Sequence, residues 1–146
     1  MRVAAVGRLG IGSVPVLTLA SIENIIRGSW GPDTVDPDDG WSEDNPSRGQ
    51  CDVTSLVVHD LLGGDLLAAD VYLDGDRIEG HMWNRLPSGF EIDLTRDQFK
   101  HGEVIGEPLV RPRPKKWDPH HPRHHRYEAY VVLANRVRAR FEDLNA

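Results

Sequence analysis

The chain carries one cysteine in 146 residues, so it can form no internal disulfide and no Cys-rich zinc site. It lacks any window approaching the ~20 apolar residues needed to span a bilayer. It also lacks a basic excess: 17 Lys and Arg stand against 23 Asp and Glu, for a formal net charge of −6. That balance argues against a general nucleic-acid binder. No internal repeat is visible. What remains is ordinary in amount, with 39% hydrophobic and 27% charged residues, which excludes both disorder and a fibrous chain. The length suits one domain with a sizeable core, and the lone thiol suits a reducing compartment, read here as the cytoplasm.

Residues Leu9 to Ala20 are uncharged and follow Arg2 and Arg8, a pattern with some likeness to a secretory signal. Gly10, Gly12 and Pro15 interrupt it, so residues 1–16 are expected to form a flexible extension and residues 17–146 the domain. Thr18 or Ser21 can cap a helix to about Arg27, with Leu19, Ile22, Ile25 and Ile26 at helical spacing and Gly28 as the stop. Asp33 to Asp44 hold six acidic residues and no basic one. Asp36, Asp38 and Asp39 miss the calcium-loop spacing, so this is a solvated loop and no metal ligand is assigned.

Turn residues from Asn45 to Gln50 lead into a second helix, about Cys51 to Leu62, apolar around most of its circumference and therefore buried. Gly63-Gly64 ends it. Leu66 to Leu73 alternates, Asp74-Gly75 is a two-residue hairpin turn, Asp76 to Leu86 continues, and a further turn leads to Phe90–Thr95. A helical turn begins near Thr95-Arg96-Asp97-Gln98. Arg111 to Arg126 contain four prolines and four histidines and read as a loop or extended crossover. His120, His121, His124 and His125 could bind a metal, but Pro122 disfavours a shared helix face and no Glu or Cys joins them. The basic run from Arg111 lacks interleaved aromatics beyond Trp117, a weak nucleic-acid signal. Tyr127 to about Leu144 is an amphipathic helix with Tyr130, Val131, Leu133, Ala134, Val137 and Phe141 on one stripe.

The tight turn places Leu73 opposite Asp76. A three-residue loop Leu86–Ser88 then sets the second pairing. One face of the sheet thereby carries Leu67, Ala69, Val71, Leu73, Ile78, Met82, Phe90, Ile92 and Leu94 as core. The other carries Asp70, Arg77, Glu79, His81, Trp83, Glu91 and Asp93. His81 falls directly across from Asp93, within reach of an imidazole–carboxylate hydrogen bond, with Ala68 on its other side. Asn84 falls on the core face, where it needs a partner.

A histidine oriented by a carboxylate is half of a catalytic constellation, and Cys51 at a helix start is the matching nucleophile. The free N–H groups there favour a thiolate and could hold an oxyanion, with Gln50 adding a side-chain donor. Trp30, Trp41 and Trp83 could line a substrate groove. If the Cys51 helix lies flat on the Met82 and Ile92 face, however, the thiol meets His81 only around a sheet edge.

Several motifs resemble the small bacterial YunG-like family: Trp30; Trp41-Ser42-x-x-Asn45-Pro46-x-x-Gly49-Gln50-Cys51-x-x-Thr54; Asp60-x-x-Gly63-Gly64; His81-x-Trp83-Asn84; and Ile92-Asp93-Leu94-Thr95-x-x-Gln98-Phe99. The likeness runs over about Leu19 to Phe99 and again from Arg126, in a family without an assigned activity. A looser similarity is to the papain-like and transglutaminase-like superfamily, with its NlpC-type peptidases and arylamine acetyltransferases. It implies Cys51 as nucleophile, His81 as base and Asp93 as the orienting group. The expectation is therefore an α+β domain: an antiparallel sheet of at least three strands, a Cys-bearing helix and a C-terminal helix. Its function would be that of a thiol-dependent hydrolase or acyl transferase, catalytic through Cys51, His81 and Asp93. Gln50, Trp83 and Trp41 would bind a peptide or small-molecule amide or thioester, without cofactor, metal, nucleic acid or membrane. The alternative is a non-catalytic binding or partner protein in which these residues are structural.

Overall fold

The computed structural model of the chain describes residues 2–3, 17–37, 40–114 and 124–144. A two-residue strand β1 (Arg2–Val3) pairs antiparallel with β2 (Leu17–Thr18). Helix α1 (Leu19–Arg27) follows at once, capped by Thr18, whose hydroxyl accepts the Ser21 N–H at 3.0 Å. Helix α2 (Cys51–Leu62) buries every residue from Val53 to Val58, as its all-round apolar sequence predicts. Strands β3 (Asp65–Leu73), β4 (Asp76–Arg85), β5 (Glu91–Ile92), β6 (Val104–Ile105) and β7 (Leu109–Arg111) form one antiparallel sheet. Its order is β5-β4-β3-β6, with β7 also paired to β3. A one-turn 3-10 helix (Arg96–Gln98) follows β5, and α3 (His124–Asp143) is the last element. The α+β expectation holds, Cys-bearing helix and C-terminal helix included. Strands β6 and β7 are too short, and too exposed along their apolar residues, to show an alternating pattern in sequence.

The core lies mainly among the helices. Ile22 and Ile26 of α1, Val53, Val57 and Val58 of α2, and Leu133 and Val137 of α3 close around Leu94. Helix α3 starts at His124, not Tyr127, so Arg126 belongs to its first turn and is buried rather than part of a loop. His120 and His121 lie outside the described residues. Among those described, no group of three or more His, Cys, Asp or Glu side chains is placed to hold a metal. No described helix is long and apolar enough to cross a membrane.

The sheet register differs from expectation in two places. Leu73 pairs with Asp76 and Tyr72 with Arg77, as the hairpin turn dictates, but a bulge follows at Val71/Tyr72. Beyond it Val71 faces Glu79, Ala69 faces His81 and Leu67 faces Trp83. One extra residue turns the whole run of β4 over relative to β3. His81 and Trp83 therefore share the side of Leu67, Ala69 and Val71, and both are buried. Ala68 faces Met82, not His81. At the next turn the loop is Pro87–Gly89, closed by Leu86 N–H donating to the Phe90 carbonyl at 2.8 Å. Arg85 thus pairs with Glu91, two residues beyond the expected partner. Ile78 and Phe90, expected in the core, are 44% and 55% exposed.

Two glycines test this geometry. Both hold left-handed backbone, Gly64 at φ +83 and Gly75 at φ +85. A Cβ at Gly64 would sit 2.1 Å from the Arg85 carbonyl oxygen, whereas one at Gly75 meets nothing within 4 Å. Gly75→Ala is expected to cost about 1–2 kcal/mol, the left-handed penalty alone. Gly64→Ala adds displacement of backbone and should exceed ~3 kcal/mol, read by urea denaturation of the two variants side by side.

Candidate functional site

Cys51 is the first residue of α2, half-buried. It borders a half-open cleft of about 460 Å³, together with Asp52, Ala68 to Asp70 on β3 and Gly80 to Met82 on β4. Glu107, Leu109 and Arg111 form its far wall. His81 and Cys51 thus border one cleft, His81 with its side chain fully enclosed.

Beside the thiol, Asp52 is neutralised by Arg126, which is 1% exposed. The guanidinium donates Nε to Asp52 Oδ2 at 2.8 Å and Nη2 to Oδ1 at 2.6 Å. Nη2 also reaches the carbonyls of Thr34 at 3.1 Å and Gly49 at 3.2 Å. Burial works to depress the Arg126 pKa, but the hydrogen bonds and charge of Asp52 outweigh it and the pKa is raised, with Asp36 and Cys51 adding to the effect. The cation stays charged and ties α3 to the first turn of α2.

His81 Nε2 lies 2.6 Å from Asp93 Oδ2. The pair foreseen from the sequence forms, although not as directly opposed residues: Asp93, the first residue past β5, reaches His81 diagonally. The other oxygen of Asp93 accepts the N–H of Thr95 at 3.1 Å and its hydroxyl at 3.2 Å. His81 Nδ1 lies 3.4 Å from Gln98 Nε2. Trp83 stacks on the ring at 5.6 Å between centroids, and Phe99 meets it edge-on at 4.8 Å. The ring's hydrogen bonds go to Asp93 and Gln98, and none goes to Cys51.

The body of α2 lies on the other side of β4. Asn84 donates to the Ser55 carbonyl of α2 at 2.9 Å, the partner its burial demands. His81 is three residues away along the strand and so leaves it on the opposite face. The helix has thus packed in the arrangement that leaves a sheet edge between thiol and imidazole.

Of the expected substrate-binding residues, Gln50 is fully buried, accepting the Thr34 hydroxyl at 2.7 Å and donating to the Gly31 carbonyl at 3.4 Å. Trp83 donates Nε1 to Glu91 at 2.8 Å and Trp41 to the Pro46 carbonyl at 3.1 Å. Neither tryptophan borders the Cys51 cleft. Two residues that complete the site went unassigned in the sequence. In the sequence Gln98 reads as part of a helical turn and Arg126 as the end of a Pro- and His-rich stretch. An arginine one turn ahead of the apolar stripe that starts at Tyr130, and on the same helix face, is the available signal for the second.

The fold and site define a class: an α+β protein with a cysteine at a helix start and a buried histidine–aspartate pair on the neighbouring sheet. A family model described as "YunG protein" matches residues 18–142, and the chain belongs to that family. It is 33% identical over 79 residues to "Uncharacterized protein YunG" of Bacillus subtilis (strain 168). That alignment covers 54% of this chain and 61% of the relative, so the chain spans less than two thirds of the relative's length. No solved structure matches the chain.

Two outcomes check the electrostatics. Arg126→Met removes a buried cation from the half-buried Asp52 carboxylate and is expected to lower unfolding free energy by about 2–4 kcal/mol in urea titrations. Arg27 grips Asp97 through two hydrogen bonds, at 3.0 and 2.7 Å, and this holds the Asp97 carboxyl below its usual range. A carboxyl lowered on folding stabilises above its unfolded pKa of ~3.9 and loses that contribution as pH falls through its folded value. Melting temperatures followed from pH 6 to pH 2 should therefore fall less steeply for Asp97→Asn than for the parent, by a small margin because the pair is part-exposed.

Proposed function

We propose that the protein is a thiol-dependent hydrolase or acyl transferase acting on an amide or thioester. The observation that supports this reading is that Cys51 and His81 both line one cleft, with the His81 ring held through Nε2 by Asp93 at 2.6 Å. Because Nε2 serves the carboxylate, Nδ1 is the nitrogen left for proton transfer. A hydrogen-bonded carboxylate stabilises the imidazolium that such transfer creates. Arg126 neutralises the adjacent Asp52, a negative charge that would otherwise oppose a thiolate at the start of α2.

In this reading the Cys51 S–H proton passes to His81 Nδ1, and the thiolate sulfur bonds the substrate carbonyl carbon. The electron pair of the broken C–N or C–S bond leaves on the amine or thiol, which takes the proton from Nδ1. Water, or an acceptor amine or alcohol, then attacks the acyl-sulfur bond, delivers its proton by way of Nδ1 and restores the thiol. Gln50 and the two tryptophans would act on the substrate through the loops and strands they hold in place.

A second reading has its own support. The His81 side chain is 0% exposed, and both ring nitrogens have partners. That is also what a purely structural histidine would show, and the cleft would then bind a ligand without reacting with it.

Alkylation separates the two. The thiol reading expects Cys51 to react with iodoacetamide with a midpoint well below the ~8.5 of an ordinary cysteine. It also expects that advantage to vanish in His81→Ala and weaken in Asp93→Asn, each confirmed folded by circular dichroism. A native thiol that reacts only near pH 8.5 and ignores His81 would leave the binding protein.

A further inference from the structure

The amide of Gln98 is oriented without ambiguity. Its nitrogen lies 3.1 Å from the Thr95 carbonyl oxygen, which can only accept, and its oxygen lies 3.5 Å from Arg48 Nη1, which can only donate. The NH₂ end therefore faces His81 Nδ1 at 3.4 Å, a contact that is a hydrogen bond when that nitrogen carries a bare lone pair. In that tautomer the ring proton sits on Nε2, donated to Asp93. Gln98 is 3% exposed, so these partners are not exchanged for water.

The count of hydrogens is informative. The amide nitrogen has two, and three acceptors surround it: the Thr95 carbonyl and hydroxyl, both at 3.1 Å, and His81 Nδ1 at 3.4 Å. The contact to His81 is the longest. Gln98 can release Nδ1 and still have both hydrogens satisfied by Thr95.

We propose that Gln98 is a positioning residue that keeps His81 Nδ1 unprotonated and able to accept a proton, and that it yields that nitrogen when the proton arrives. This rests on the thiol reading of the Cys51 cleft, and it adds a second group, besides Asp93, that favours this tautomer. A protonated Nδ1 would present N–H against N–H, so Gln98 favours the neutral base at rest. The charged groups around this network are Asp93 on the ring itself, Arg48 on the amide oxygen, and Glu79, paired with Arg48 at 2.7 Å.

Nitrogen-15 NMR of the imidazole rings in the intact protein tests the first half directly. The expected result at neutral pH is a His81 ring with its proton on Nε2 and a bare Nδ1. In Gln98→Glu the new carboxylate accepts from Nδ1–H, so the titration midpoint of the His81 ring should rise by about one pH unit or more. A wild-type ring protonated on Nδ1 overturns the proposal even if no variant folds. So does a folded Gln98→Glu protein whose ring midpoint stays put while alkylation still depends on His81, and in that case the thiol reading survives. A wild-type Cys51 indifferent to His81 brings down both.

Discussion

The bidentate pair between Arg126 and Asp52 is the joint on which the arrangement depends. A guanidinium taken out of water loses several kcal/mol of hydration unless its donors find acceptors. Here they find both oxygens of Asp52 and the carbonyls of Thr34 and Gly49. Those four acceptors come from the long loop after α1, the turn before α2 and the first turn of α2 itself. One side chain from α3 thus fastens three separate parts of the chain, and Cys51 stands between two of the fastened positions. Apolar packing brings the helices together, but it tolerates sliding; a buried pair with four fixed acceptors does not.

The same economy governs the interior around His81. Among the described residues, every buried side-chain nitrogen or oxygen has a hydrogen-bond partner. That requires each polar group to be shared: Asp93 serves His81 and Thr95, Thr95 serves Asp93 and Gln98, and Gln98 serves Arg48 as well. The Gln98 carbonyl in turn accepts from Asn45 at 3.0 Å, in the turn that leads to Cys51. The network behind the ring is therefore joined to the turn in front of the thiol by one further residue.

Much of this was legible in the sequence wherever a local rule applies. The apolar circumference of α2, the stripe of α3 and the Asp74-Gly75 turn all follow from composition and spacing. So does the meeting of His81 with Asp93, since a two-residue change of register preserves the side of the strand. The bulge at Val71/Tyr72 was not legible, because a single extra residue leaves no mark in an alternating run that carries Asp70, Tyr72 and Asp74 on one side already. It moved His81 from the expected polar face to a buried one, and with it the ring's neighbours. Arg126 was hidden for another reason. Its burial depends on acceptors some 70 to 90 residues earlier in the chain, and no window of sequence contains both.

The corrected register also defines what a reaction would demand of the protein. Asn84 and the body of α2 lie on one side of β4 and the His81 ring on the other, so thiol and imidazole can meet only around the strand's edge. That edge is not closed by a neighbouring strand, because β5 pairs with β4 only at Asn84 and Arg85. What holds it near His81 is side-chain chemistry: Arg48 on Glu79, and Asn45 and Arg48 on Gln98. A strand ladder would have to break several backbone hydrogen bonds to open, whereas side chains in a turn exchange partners at far lower cost. The turn from Asn45 to Gln50 leads straight into Cys51, and Arg126 fastens the chain on both sides of the thiol, at Gly49 and at Asp52. Asn45 and Arg48 thereby tie the turn before Cys51 to the residues around the His81 ring.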